Sequence, residues 1–116
     1  MSDEIWTITL DATGVLSVDG DLIPREFALH QNYPNPFNPT TSLRYDLPQD
    51  SHVLISIYDI RGREVRTLVN ETQTAGYRLL HWNATNNHGQ PVAAGMYIYT
   101  IQAGDFRKVK KMILLK

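Results

Sequence analysis

Val53-Leu54-Ile55-Ser56-Ile57-Tyr58-Asp59-Ile60-Arg61-Gly62-Arg63-Glu64-Val65 is the stretch that decides the fold. Val53, Ile55 and Ile57 alternate with Leu54, Ser56 and Tyr58, the period-two pattern of a strand with one apolar face. At Asp59 the pattern stops. A short carboxylate there can bond the backbone two residues on, and Gly62 suits a left-handed position, so the chain reverses tightly. Val65 to Val69 then returns as a second strand. Asp59 beside Arg61 and Arg63 also has the look of an ionic catalytic pair, but a carboxylate that stabilises a turn is the simpler reading.

The same signals recur on both sides. Upstream, Leu43, Tyr45 and Leu47 alternate with polar residues as far as Pro48. Downstream, Gly76 to Asn83 reads as a strand burying Leu80 and Trp82, and Gly95 to Ile101 as one with Tyr97, Tyr99 and Ile101 inward. Ala103-Gly104-Asp105 turns the chain into Phe106 to Lys116. Short strands separated by turn residues, with no helical period, predict an all-β, immunoglobulin-like, seven-stranded antiparallel β-sandwich. There is no cysteine, so Trp82, Tyr97 and the aliphatic faces must hold the two sheets together.

The last stretch, F-R-K-V-K-K-M-I-L-L-K, is unusual for a closing strand. Arg107, Lys108, Lys110, Lys111 and Lys116 make it basic, while Met112 and Leu114 point to one face and Ile113 and Leu115 to the other. A half-buried strand should alternate, so this one is expected to be sandwiched on both sides or kept adhesive for a partner. The segment Phe27 to Thr41 carries Pro34, Pro36 and Pro39, which fix φ and bias the residues before them to extended geometry. It predicts a stiff extended connector, with Tyr33 and Phe37 pinning it to the core. A polyproline ligand is the other reading, weakened by the asparagines between the prolines.

Ile5 to Leu10 alternates around Trp6, Ile8 and Leu10, Asp11 to Gly14 turns, and Val15 to Val18 returns. This predicts an extra N-terminal hairpin, marginal alone and in need of something to lean on. Asp19-Gly20-Asp21 breaks the pattern and Pro24-Arg25-Glu26 reads as a linker. Residues 1–24 are therefore expected to be an arm, either the tail of an upstream module or an added strand, and residues 25–116 the domain proper.

Composition narrows the function. The 116 residues suit one domain, and 42% hydrophobic content suits a globular core. A net charge of −1 argues against nucleic-acid or anionic-membrane binding, and no run approaches the length of a transmembrane helix. Met1-Ser2-Asp3-Glu4 lacks the basic region and apolar run of a signal peptide, so an exported protein would carry its signal elsewhere in a longer chain. His30, His52, His81 and His88 have no metal-ligand spacing, and no nucleophile elbow, phosphate loop or carboxylate pair stands out. No catalysis and no cofactor are expected. The loop Asn83 to Gln90 offers many oxygens but no carboxylate, so no metal site is assigned to it, and the question stays open. Tyr33, Tyr58, Trp6 and Tyr99 offer platforms for a surface glycan, although sandwich packing accounts for them better.

Four motifs occur in one order: Tyr33-Pro34-Asn35-Pro36-Phe37-Asn38-Pro39-Thr40-Thr41; Ile57-Tyr58-Asp59 leading into Gly62-Arg63-Glu64-Val65; Gly89-Gln90-Pro91-Val92 with Gly95-Met96-Tyr97; and Lys110-Lys111-Met112-Ile113-Leu114-Leu115-Lys116. In this the chain, from about Phe27 to Lys116, resembles the type A C-terminal sorting domain of the type IX (Por) secretion system. The resemblance implies a non-catalytic signal domain on secreted cargo of a Gram-negative bacterium, carried through the periplasm to the cell surface. Its implied partners are the outer-membrane translocon with its shuttle and sortase proteins, and an upstream cargo domain in the same chain. No nucleic acid and no stable membrane insertion are implied. Translocon recognition would fall to Lys110, Lys111, Met112, Ile113, Leu114, Leu115 and Lys116. Pro34, Asn35, Pro36, Asp59, Gly62, Arg63, Gly95 and Tyr97 would be scaffold. The Ig-like domain of the flagellar hook-capping protein is similar too, sharing the Gly-Arg and Gly-x-Tyr turns, and implies a structural role instead.

Overall fold

The computed structural model describes the backbone of residues 7–10 and 16–19 and the whole of residues 23–116. Among the described residues the chain forms strands and no helix: β1 Thr7–Leu10, β2 Leu16–Asp19, β3 Ala28–Leu29, β4 Thr41–Leu47, β5 Ser51–Asp59, β6 Glu64–Gln73, β7 Gly76–Trp82, β8 Gly95–Ala103 and β9 Phe106–Leu114. β1 and β2 pair antiparallel, Thr7 opposite Asp19, as the alternation predicts. Trp6, the expected turn at Asp11 to Gly14 and the break at Gly20 and Asp21 lie outside the described residues.

The remaining seven strands make the immunoglobulin-like sandwich that the turn spacing predicts. One sheet has the order β3-β4-β7 and the other β6-β5-β8-β9, and neighbours run antiparallel throughout. Alternation delivers the core: Leu43, Tyr45 and Leu47 from β4, Val53, Ile55 and Ile57 from β5, and Tyr97, Tyr99 and Ile101 from β8 are all buried. Each aliphatic side chain among them contributes about 1.5–3 kcal/mol by leaving water. Where antibody domains place a cystine, this core stacks aromatics. The Trp82 ring meets Tyr97 edge-on at 5.6 Å and Phe37 at 5.8 Å, and its indole N–H donates to the Thr85 carbonyl at 2.8 Å.

Two strands differ from the expectation. β6 runs on past Val69 to Gln73, because Ser51 and His52 of β5 hold Gln73 and Thr72 in register. Asn70-Glu71-Thr72-Gln73 has no apolar alternation, so only the partner strand reveals it. Leu80 is half-buried rather than buried. It lies on β7, an edge of its sheet, where one flank stays open to water.

Candidate functional site

β9 is the outer strand of the four-stranded sheet, paired from Ala103↔Phe106 to Gly95↔Leu114 with β8. Its two apolar faces have different fates. Met112 and Leu114 are fully buried against the core, whereas Ile113 and Leu115 stand 41% and 51% exposed. The strand is therefore not sandwiched, and of the expected recognition residues only Lys110, Lys111, Ile113, Leu115 and Lys116 reach the surface. Lys111 and Lys116 are exposed, as are Arg107 and Lys108 further back, and Lys110 is half-exposed.

The connector holds this strand at both ends. Phe27 stacks on Phe106 with ring centroids 5.3 Å apart. The Gln31 side-chain amide donates to the Lys111 carbonyl at 2.8 Å, and the Ile113 N–H donates to the Asn35 side-chain oxygen at 3.0 Å. The Phe37 N–H donates to the Ile113 carbonyl at 2.9 Å and the Leu115 N–H to the Phe37 carbonyl at 2.8 Å, a parallel bridge. An edge strand left bare is a template for unwanted pairing, and here the Gln31 and Asn35 side chains and the Phe37 backbone cover it from Lys111 to Leu115.

Two expectations about the connector need correction. It is not an extended rod: it bends at Pro34 to Pro36 and again at Asn38 and Pro39, and the peptide bonds before Pro34, Pro36 and Pro39 are cis. The Tyr33 ring is also no pin, since the residue is 79% exposed and only its backbone is held, in a bridge to Ser42. Phe37 does pin the segment, and the second anchor is Asn32, which the sequence reading passed over. Asn32 is buried; its N–H donates to the Tyr99 hydroxyl at 2.8 Å, and its amide donates to Thr41 Oγ1 at 3.0 Å and to the Pro34 carbonyl at 3.1 Å. The Tyr99 hydroxyl in turn donates to the His30 carbonyl at 2.8 Å. Burial pushes this phenol up to about 12, with the Asn32 N–H pulling the other way. The available signal was an asparagine just ahead of a proline run, a residue able to bond neighbouring backbone groups.

The other scaffold motifs gather at one end of the sandwich. The Asp59 carboxylate accepts the Arg61 and Arg63 N–H groups at 2.9 and 3.0 Å and the Arg63 Nε–H at 3.0 Å, and Gly62 sits at φ +84°. The Arg63 N–H first, and the Arg61 N–H with the Arg63 side chain behind it, hold the Asp59 carboxyl below the usual carboxylate range against a smaller opposing effect of desolvation. In the ladder Asp59 lies opposite Tyr97, whose hydroxyl donates to the Ala93 carbonyl. These are turn contacts, as the sequence reading preferred.

The other candidate sites are taken up by internal bonds. In the Asn83 to Gln90 loop the Asn86 side-chain oxygen accepts the His88 and Gln90 N–H groups, and the Asn87 oxygen accepts the Thr67 N–H, so these oxygens face the backbone. His30 meets Asp46, His81 meets Ser42 and His52 meets Asn70, each on the surface. Among the described residues no three of His, Asp and Glu come close enough to hold a metal ion. Of the aromatic platforms, Tyr99 is buried and Tyr58 half-buried, leaving Tyr33 exposed, while Trp6 lies outside the described residues.

Residues 36–105 match the family model of the FlgD Ig-like domain. The chain belongs to this family. The match reaches from the connector to the turn after β8 and stops short of β9. Among solved structures this FlgD Ig-like domain is similar to the dimeric latent PorU of Porphyromonas gingivalis (TM-score 0.60, 21% identity, 79% of this chain and 10% of that one). It is also similar to PorZ of the same organism, an essential surface component of the type IX secretion system (TM-score 0.53, 20% identity, 78% and 11%). FlgD of Pseudomonas aeruginosa is a third (TM-score 0.51, 20% identity, 81% and 74%). At these identities the likeness is one of fold, and the chain spans about a tenth of PorU and of PorZ. No curated protein matches the chain.

Proposed function

We propose that this FlgD Ig-like domain is a non-catalytic sorting domain of type A, which directs an attached cargo through the type IX secretion translocon to the cell surface of a Gram-negative bacterium and is then removed by a surface sortase. Residues 1–24 would be the tail of the cargo or its linker, and residues 25–116 the signal. The observation that carries the reading is β9, which leaves Lys111, Ile113, Leu115 and Lys116 exposed while its core face, and its edge from Lys111 to Leu115, are already satisfied. A strand needed only to close the sandwich has no use for exposed aliphatics beside cations. Likeness of fold to PorZ supports the reading, as does the order of the Pro-Asn-Pro and Lys-Lys motifs.

The test is a fluorescent reporter fused ahead of Phe27 in a host that has the system. Lys110→Glu with Lys111→Glu is expected to fold normally and to stay off the surface, since apolar contacts supply affinity and charges supply steering and register. Surface delivery at the unaltered level would remove the lysines from the signal. A second reading is a structural Ig-like domain of the hook-capping type, favoured by the family match, which needs none of β9. On that reading the charge-reversed reporter and its parent behave alike in every host.

A further inference from the structure

β9 leaves part of its outer edge unpaired. Ile113 turns its N–H and C=O away from β8, toward Asn35 and Phe37. In an antiparallel ladder every second residue does the same, so Lys111, Val109 and Arg107 also present theirs outward. The connector's hydrogen bonds to this edge reach back as far as the Lys111 carbonyl and no further, since Phe27 meets Phe106 by ring stacking on the other face. Among the described residues nothing bonds the outward N–H and C=O of Val109 or Arg107. Beside this edge lies a groove of about 470 Å³ lined by Gln31, Asn35, Met96, Val109, Lys110, Lys111 and Ile113. Its floor is aliphatic, its rim carries two ammonium groups, and no carboxylate occurs from Phe106 to Lys116.

We propose that this open edge binds an extended, acidic polypeptide segment by strand addition. The segment's backbone pairs with Arg107 and Val109, its carboxylates meet Lys108 and Lys110 on one face, and its alternate apolar side chains lie on Met96, Val109 and Ile113 on the other. Backbone pairing gives affinity and alternate side chains give specificity, the usual division in strand addition. A second copy of the chain is a poor occupant, because two β9 strands would set their cations against each other. An anionic lipid would satisfy the lysines but leave the Val109 backbone groups unpaired. The inference rests on the sorting reading for who the partner is, and deepens it by naming the chemistry of the segment that reads β9.

The probe is a synthetic peptide of roughly ten residues, enough for one strand, alternating Glu with Val, with a counterpart carrying Lys for Glu. Added to the full chain, the acidic peptide is expected to slow hydrogen exchange at the Arg107 and Val109 amides, and to bind less as salt rises. The basic counterpart is expected not to bind. Lys110→Glu with Lys111→Glu is expected to weaken binding by about tenfold or more. Val109→Pro deletes an outward N–H without touching the ladder to β8, and is expected to abolish binding while the thermal melt is kept. A folded Val109→Pro that binds as tightly as the parent overturns the proposal. So does binding by the parent chain without exchange protection at Arg107 and Val109, a reading that needs no variant to fold. Capture of the chain by anionic phospholipid vesicles but not by the peptide overturns it too, in favour of a lipid. If the peptide binds and the charge-reversed reporter is still exported, strand addition stands and the lysines drop out of the sorting signal. If export needs the lysines and the peptide does not bind, the opposite holds.

Discussion

The Asp59 to Arg63 turn and the Gln31 to Phe37 connector do comparable work by opposite means. The turn closes on itself: one carboxylate accepts N–H groups two and four residues on, and Gly62 takes up the left-handed geometry. Every partner is a near neighbour in the chain, so the turn forms without the rest of the fold. The connector makes local bonds too, from Asn32 to the Pro34 carbonyl and to Thr41, but what ties it to the sheets comes from far along the chain. Asn32 waits for Tyr99, 67 residues away, and Asn35 for Ile113, 78 away. Local contacts make a turn robust and dispensable to the sheets around it, whereas long-range contacts make the connector the place where both sheets and the final strand depend on one another.

That contrast can be broken most severely at Phe37. Phe37→Ala opens a cavity beside Trp82 and loosens the bridge to Leu114, and about 3–5 kcal/mol of stability should disappear in a denaturant melt. A cost below about 1 kcal/mol would mean that the connector rides on the core without joining it.

Next in size is Tyr99→Phe, which leaves the buried Asn32 N–H without an acceptor, at a cost of about 1–3 kcal/mol. The same phenol sets an alkaline limit. Unfolded tyrosine ionises near about 10, and folded Tyr99 only near about 12. Its contribution is therefore whole below about pH 10 and is lost as pH rises through about 12. Burial raises Tyr45 and Tyr97 as well, so the parent should lose stability with pH in this window and Tyr99→Phe should lose less of it. Equal slopes for the two proteins in an alkaline titration of the melting temperature would contradict this.

Asp59→Ala sharpens the comparison from the local side. It should lower the melting temperature by less than Tyr99→Phe does and leave amide signals from the connector unmoved. Because the fold holds the Asp59 carboxyl below its ordinary range, its contribution is present above the unfolded value of about 3.9 and fades as pH falls through the folded value. The variant should show a flatter acid limb than the parent. The smallest effect belongs to Lys110→Glu with Lys111→Glu, whose melt should stay within about 0.5 kcal/mol of the parent. A larger loss would mean that these lysines shape the fold.

Most of the sandwich was legible because its strands carry their burial in alternation: Val53, Ile55 and Ile57, or Tyr97, Tyr99 and Ile101, need only face one way. Where polar strands borrow their structure from a neighbour, as Asn70 to Gln73 does from β5, no such pattern existed to read. The candidate surface was half legible. Its lysines and aliphatics stand in plain order, but Met112 and Ile113 are equivalent as letters, and only the register with β8 buries one beside Tyr97 and exposes the other beside Met96.

By itself the sequence determined the all-β architecture, the Asp59 turn and the make-up of the core, because period-two patterning and turn chemistry act between near neighbours in the chain. The tertiary structure alone decided that Asn32 rather than Tyr33 anchors the connector, that the connector covers β9 from Lys111 onward, and that Arg107 and Val109 stay open. Those outcomes depend on which backbone groups find partners 60 to 80 residues away, as the spacings of 67, 78 and 80 residues show. Hydrogen bonds of that kind have no period, and form only once the two sheets have brought their edges together.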